Sequence, residues 1–328
     1  MKVLITGGAG YIGSHLADYF LANGDTVTVV DNLSTGDMKN IQHNLQSSRY
    51  TFIHGSILDR DMMGKLIEKH DLVCHLAAVV GVKHVLENPV RSIIDNASGT
   101  EAVLTLAHKY KRRVLFASTS EVYGKNSHIP FTEDHDSLFG STRVFRWSYA
   151  IAKALGEHLC FAYHSEGLPV SIVRYVNSYG PRLDPRGYGS VVATFITQAL
   201  TGNPLTVHGD GQQTRCFTYV DDTVLGSFLA STKEEALGEV FNIGSSVDTN
   251  ISELAALILK LTASQSIVKF IPYSDAYGNN FEDMTRVLNV SKAEKLLGFK
   301  ALVSLKEGLG RTTTWFRQQP LDLLAKLH

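Results

Sequence analysis

Cysteine is scarce in this chain: Cys74, Cys160 and Cys216 are the only three among 328 residues, and no two form a CxxC pair. That excludes a disulfide framework and a cysteine-based zinc site. With Cys74 and Cys160 inside apolar runs, buried free thiols in a reducing compartment are expected. The 13 histidines show no metal-ligand spacing, so no metal is expected. An excess of one charge is also missing: 31 basic against 32 acidic side chains leave a formal net charge of −1. Nothing in that balance draws the chain to nucleic acid or to an anionic membrane, and any anionic ligand must be held by local arginines. No apolar run approaches the ~18 residues of a membrane helix. Met1-Lys2 leads straight into Val3-Leu4-Ile5, which leaves no room for a signal peptide. A soluble, cytoplasmic protein without internal repeats is expected.

What is present is an α/β alternation with 44% hydrophobic residues, enough for one large domain or two intimate ones. Residues 2–6 read as a buried strand. Gly7-Gly8-Ala9-Gly10-Tyr11-Ile12-Gly13 then opens a helix to about Gly24, and the strand Thr26–Val30 ends at Asp31. Strand, glycine turn, helix, strand and acid make up the context a dinucleotide fingerprint requires. The glycines let backbone approach a pyrophosphate at a helix N-terminus, and Asp31 suits ribose hydroxyls while repelling a 2′-phosphate, which favours NAD over NADP. Further strands are expected at 50–54, 71–76, 113–117 and 170–175, with helices at 59–69 and 89–110. Leu76-Ala77-Ala78 ends one strand with small residues that permit close cofactor approach. Asn96, inside the 89–110 helical pattern, is either a surface residue or an active-site group.

Residues 117–153 hold the acid–base equipment. Ser118-Thr119-Ser120-Glu121 follows a strand at its carboxyl end, where ligands bind in open parallel sheets. Tyr149 and Lys153, four apart on a helix expected to reach about Glu166, share one face. A nearby ammonium lowers a tyrosine's pKa by favouring the phenolate. Beyond 176 the alternation weakens: a loop at 177–186, a helix at about 191–200, strands at 205–208 and 215–220, a helix at 223–231, and a strand at 240–243 that returns to the main sheet. A smaller α/β unit follows, with helices near 252–262, 291–297 and 305–317, and the Gly-, Asn- and aromatic-rich stretch 273–283 reads as a loop.

Thr6–Gly13, Asp31, Leu76–Ala78, Asn96, the Ser118–Gly124 block, Tyr149/Lys153 and Arg174-Tyr175-Val176-Asn177-Ser178-Tyr179-Gly180-Pro181 together resemble the extended short-chain dehydrogenase/reductases, the nucleotide-sugar epimerases, dehydratases and decarboxylases. The resemblance spans essentially the whole chain. It implies a Rossmann-type doubly wound parallel sheet over 1–175, with 212–243 returning to it, and a nucleotide-sugar-binding domain from 176–211 and 244–328. It also implies NAD contacts from Gly7, Gly10, Tyr11, Ile12, Gly13, Asp31, Asn32, Ser34, Thr35, Gly36, Ser56, Ile57, Leu76, Ala77, Ala78, Asn96, Ser118, Tyr149, Lys153 and Tyr175. A UDP-sugar would be held by Asn177, Arg182, Val192, Thr206, His208, Arg215 and Arg286, with Leu205–His208 along the uracil and with Asn177, Arg215 and Arg286 on the diphosphate or its ribose. Tyr149 as phenolate would take the proton of the sugar's 4-hydroxyl, helped by Lys153 and Thr119.

Three features select among the subfamilies. Typical 4-epimerases carry a small hydroxyl residue where Glu121 stands, so this Glu implies chemistry at the neighbouring carbon. Arg146 precedes Tyr149 by three residues, as in UDP-glucuronate decarboxylases. Gly180–Asp184, Arg215–Thr218, Tyr277-Gly278, Glu282-Asp283 and Arg286 resemble the decarboxylase domain of the bacterial lipid A aminoarabinose pathway. Decarboxylation of UDP-glucuronate, to UDP-xylose or its 4-keto pentose, is therefore the expected reaction. Ser120, Glu121 and Arg286 would handle the carboxylate or the proton. A UDP-sugar 4-epimerase is the alternative, then a nucleotide-sugar 4,6-dehydratase. A cofactor-binding protein without catalysis is disfavoured because both Tyr149 and Lys153 are present. The resemblance also implies a homodimer built on the 89–110 helix and the helix carrying Tyr149.

Overall fold

The computed structural model describes residues 1–80, 88–184, 190–277 and 285–320. Pro185, Arg186, Gly278, Glu282 and Asp283 lie outside these residues, as do the side chains of Arg146 and Tyr277.

Valine, leucine and isoleucine dominate the strands β1 (Lys2–Thr6), β2 (Thr26–Asp31), β3 (Tyr50–His54) and β4 (Leu72–His75), with α1 (Tyr11–Ala22) and α2 (Arg60–Glu68) between them. Then come α3 (Pro89–Tyr110), β5 (Arg113–Thr119), α4 (Arg146–Ser165) and β6 (Val170–Tyr175). These strands and β11 (Val240–Ile243) form a parallel sheet in the order β11-β6-β5-β4-β1-β2-β3. The order reverses between β1 and β4, which opens a crevice at their carboxyl ends.

Period-two alternation sorts the strand side chains onto two covered faces, and for that reason the strands read as continuous apolar runs. Val3, Ile5, Val27 and Val29 cluster with Leu16 and Phe20 of α1 and with Val224 of α6 (Val220–Thr232), the helix that precedes β11. Leu4, Val30, Val73 and Phe116 face the other way, against Met63, Val103, Leu104 and Cys160.

The remaining chain builds on the carboxyl side of the sheet. It comprises β7 (Ser178–Tyr179), α5 (Val191–Leu200), β8 (Leu205–His208), β9 (Thr214–Cys216), β10 (Thr218–Tyr219), β12 (Asp248–Asn250), α7 (Ile251–Thr262) and β13 (Val268–Ile271). Three short helices complete it: α8 (Tyr273–Tyr277), α9 (Ser291–Leu297) and the longer α10 (Leu305–Arg317). The α8 turn corrects the expectation of an unbroken loop at 273–283. Pro272 stands just ahead of it, and the Asp275 amide closes back on the Pro272 carbonyl at 3.1 Å. A small third cluster of Tyr123, Phe131, Val176, Cys216, Leu288 and Val290 joins the strand ends to the segment carrying Arg286.

Phe20 is fully buried, with its ring 5.3 Å from that of Phe228. Phe20→Ala is expected to cost about 3–5 kcal/mol, the range for emptying an aromatic core site. The check is a lowered midpoint in denaturant unfolding with an unchanged slope.

Candidate active site

The glycine turn presses against the next strand's exit. Gly7 has φ +71°, and a Cβ there would fall 2.8 Å from the backbone of Ala77. A Cβ on Gly13 would meet the Gly7 carbonyl oxygen at 2.3 Å. Bare backbone at the start of α1 is what a pyrophosphate needs. Asp31, at the end of β2, accepts from the amides of Ala9 (3.0 Å) and Leu33 (2.8 Å). Burial raises its pKa, and those amides oppose the rise. Gly36 lies behind this carboxylate: a Cβ there would touch Asp31 Oδ1 at 2.8 Å.

All the expected NAD contacts except Gly36 line one cleft, from Gly7–Gly13 and Asp31–Thr35 through Ser56, Ile57 and Leu76–Ala78 to Asn96, Ser118, Tyr149, Lys153 and Tyr175. Asn96 is buried, and its amide makes two bonds to residue 79, donating to the Val79 carbonyl (3.0 Å) and accepting from the Val79 amide (2.8 Å). The surface reading of Asn96 is thereby removed. Val79 and Asp95 also line the cleft and carried no sequence signal, and Leu183 and Asp184 of the 180–184 segment join them there. His75 was missed as well. It is fully buried, held at 2.8 Å by the Thr6 hydroxyl and at 3.1 Å by the Thr100 hydroxyl. Burial, and then Lys153, lower its pKa to about 3, which keeps it neutral as a strut under the cleft.

At the inner end of the cleft, Lys153 donates to the Ala117 carbonyl at 2.7 Å. Burial pulls its pKa down to about 8, against the opposing influence of Cys160 and Glu157. Tyr149 departs from expectation. Burial first, and then the Glu121 carboxylate, push its phenol well above the ordinary value. Proximity to Lys153 on one helix face does not by itself outweigh desolvation of the phenolate.

The hydroxyl–carboxylate block turns at the strand end. Thr119 Oγ1 accepts from the Glu121 amide at 3.2 Å, capping the short helix Ser120–Tyr123. This points Glu121 at Arg286, whose guanidinium donates to both carboxylate oxygens, Nη1 to Oε1 at 2.6 Å and Nη2 to Oε2 at 3.1 Å. Paired N–H groups on one carboxylate form a strong, planar arrangement. Ser120, next to Glu121 in the same turn, is buried.

The expected UDP contacts are spread over the neighbouring elements. Arg215 pairs through its backbone with Arg286, which brings the two arginines side by side. Asn177, at φ +29°, donates to the Cys216 carbonyl at 3.0 Å. Thr206 is held by both ends of the Gln198 amide, at 2.9 and 3.0 Å, and His208 closes the same strand. Val192 is packed into the core and does not line an open surface in this structure. Arg182 is directed toward α1, donating to Asp18 at 2.6 Å beside His43. Its guanidinium is committed there as a tether for the 180–184 segment. Among the described residues, no cluster of three or more His, Cys, Asp or Glu is arranged to hold a metal.

Gly13→Ala is expected to weaken NAD binding by about tenfold or more, equivalent to about 1.4 kcal/mol. Calorimetric titration of the two proteins with NAD checks it.

A model of the family described as GDP-mannose 4,6 dehydratase matches residues 4–312. Among curated proteins, the UDP-N-acetyl-alpha-D-glucosaminuronate decarboxylase of Bacillus cytotoxicus is 46% identical over 318 residues, covering 97% of this chain and 98% of that protein. UDP-glucuronic acid decarboxylase 1 of Danio rerio is 36% identical, over 97% of this chain and 73% of its own length. Among solved structures, the UDP-glucuronic acid 4-epimerase of Bacillus cereus, in complex with UDP-glucuronic acid and NAD, matches with a TM-score of 0.87 at 33% identity, over 97% of this chain and 99% of that one. With its glycine turn, its Tyr149–Lys153 helix and matches along nearly its whole length, the chain belongs to the NAD-dependent epimerase/dehydratase family of extended short-chain dehydrogenase/reductases.

Proposed function

We propose that this chain is an NAD-dependent decarboxylase of a UDP-hexuronate. The bare glycine turn and the buried Asp31 carboxylate fit a dinucleotide with a free ribose 2′-hydroxyl. When bound in the cleft that Tyr149 lines, NAD would supply a positively charged acceptor for the hydrogen leaving the sugar's C4. Tyr149 takes the proton from the 4-hydroxyl, Lys153 holds the ribose and favours the phenolate, and Thr119 bonds the reacting oxygen.

The observation that carries decarboxylation is the Glu121–Arg286 fork beside Tyr149. A 4-ketone places the C6 carboxylate in a β-keto acid, so loss of CO₂ needs only an enolate that the site stabilises. Thr119 and Tyr149 serve that oxyanion. Arg286 already presents two N–H groups to a carboxylate, the geometry a hexuronate requires. Ser120 and Glu121 complete the setting for carboxylate and proton. Asn177, Thr206, His208 and Arg215 form the proposed UDP side, with Arg182 bracing the loop. The 46% identical relative adds UDP-N-acetylglucosaminuronate to UDP-glucuronate as a candidate substrate.

A second copy of the chain is the proposed partner. Val90 is 69% exposed, Ile94 53%, Leu155 46% and Phe161 38%, all on α3 and α4. These apolar side chains on two helices that pack together suit a helix-to-helix dimer face. No helix among the described residues is long and apolar enough to cross a membrane. Three buried free thiols support a reducing, cytoplasmic setting.

Incubation with NAD and each UDP-hexuronate, followed by mass spectrometry, is expected to give a product lighter by one CO₂ where the hydride returns to C4, or by one CO₂ and two hydrogens where the 4-keto pentose leaves. An unchanged mass with an inverted C4 would instead make the chain an epimerase, and loss of water a dehydratase. Tyr149→Phe is expected to lower turnover by about 10²–10⁴-fold with NAD still bound. In sedimentation velocity, Leu155→Glu should convert a dimer to a monomer, and an unaltered wild-type monomer would remove the dimer proposal.

A further inference from the structure

Behind Tyr149 and Lys153 lies a second charged pair that the chemistry above does not use. Glu157 sits one helical turn beyond Lys153 and two beyond Tyr149, on the same face of α4. Arg174, on β6, forks onto it: Nε donates to Oε1 at 2.9 Å and Nη2 to Oε2 at 2.6 Å. Their side chains are 7% and 8% exposed. The Ser118 hydroxyl donates to the same Glu157 oxygen that Arg174 Nε reaches. The remaining guanidinium nitrogen, Nη1, donates to the Tyr123 hydroxyl and to the Glu133 carbonyl, each at 3.0 Å. Tyr123 passes its own proton on to Asn242 Oδ1 at 2.7 Å.

Stability alone is a weak reason for such a pair, because well-packed apolar residues do as well or better in a core. Its position supplies another reason. Ser118 and Ala117 are the strand residues just before Thr119, and Ala117 holds the Lys153 ammonium while Ser118 holds Glu157. The helix that carries Tyr149 is thus pinned to the strand end that carries Thr119 by two adjacent contacts. Arg174 secures one of them from the next strand.

We infer that Glu157 and Arg174 are positioning residues for the proton transfer at Tyr149, fixing the Lys153 turn of the helix against the strand end of Ser118 and Thr119. The inference rests on the reading that Tyr149 and Lys153 oxidise a sugar hydroxyl. The groups facing Lys153 are Glu157 and the Cys160 thiol on its own helix, the Ala117 carbonyl and the Phe116 ring on β5, and neutral His75 on β4, with Tyr149 one helical turn earlier. Glu121 faces Tyr149 from the turn after β5. Glu157 is the carboxylate in this set that favours the Lys153 ammonium. Its removal makes Lys153 less basic, and with the ammonium depleted the phenolate loses that support.

The test follows nicotinamide reduction in a single turnover of the NAD-loaded enzyme with UDP-hexuronate across a pH range. Glu157→Gln is expected to slow reduction by roughly 10- to 100-fold at neutral pH, as misplacement of reacting groups does. Its acid limb should also move to higher pH, a change that loosened packing alone does not produce. Glu157→Asp should bring the limb back. In the cofactor-free protein, Lys153 followed by NMR of ¹³C-lysine should titrate at lower pH in Glu157→Gln than in wild type. A folded Glu157→Gln protein whose limb and Lys153 titration coincide with wild type overturns the inference. Should that variant not fold, Arg174→Lys carries the test. It keeps both charges but loses the fork, so reduction slows with the limb in place, and an unaltered rate overturns the positioning role. Nicotinamide reduction is seen whichever product leaves, so reduction without CO₂ loss rejects decarboxylation and leaves this inference standing. No reduction in wild type rejects the reading on which it rests.

Discussion

The fork between Arg174 and Glu157 is the interaction on which most of the site's geometry depends. The Ser118 and Tyr123 hydroxyls and the Glu133 carbonyl bond to it directly, and Asn242 joins through Tyr123. Helix α4, the ends of β5 and β6, the turn at Ser120–Tyr123, the 131–133 segment and β11 all meet there. Asn242 extends the network, donating to the carbonyls of Phe131 and Asn289 at 3.0 Å each. Phe131 and Leu288 are bridged through backbone, so the segment leading out of Arg286 is fixed to the same assembly. Removing one member of such a pair leaves a charge buried without compensation, at a cost of about 3–5 kcal/mol. The two halves of the site, Tyr149–Lys153 and Glu121–Arg286, therefore share one foundation.

The charges at the reacting end are balanced against one another. Desolvation disfavours the Tyr149 phenolate, and Glu121 disfavours it further. Desolvation also weakens the Lys153 ammonium that supports it. Arg286 offsets the Glu121 charge from the opposite side. A tyrosine held neutral in this way needs added positive charge nearby before its phenolate is favoured.

Much of the fold was legible because its signals are local. Val3–Ile5, the glycines and Asp31 lie within thirty or so residues of one another, and period, turn chemistry and charge all agree there. The Tyr149–Lys153 spacing is equally local. Other parts were not legible for physical reasons. Strands as short as Ser178–Tyr179 or Val268–Ile271 have too few residues to show a period and exist because partners 40 to 63 residues away pair with them. Arg182 read as a substrate-binding arginine, but its backbone is left-handed at φ +65° and its side chain reaches Asp18. Asn96 had two readings in sequence, and only the loop at Val79 chose between them. Glu157 stands eight residues after Tyr149, a spacing visible in the sequence, yet nothing local connects it with Arg174.

The sequence by itself determined the parallel sheet with its helices, the dinucleotide turn closed by Asp31, and the Tyr149–Lys153 pair on one helix face to which the proposed chemistry is assigned. Each of these follows from a pattern within a few turns of chain. The tertiary structure decided what depends on distant partners. It set Glu121 against Arg286 across 165 residues, directed Arg182 to α1, and raised rather than lowered the Tyr149 pKa. The reason is common to all three: desolvation and ion pairing are set by which groups surround a side chain, and those neighbours come from elsewhere in the chain.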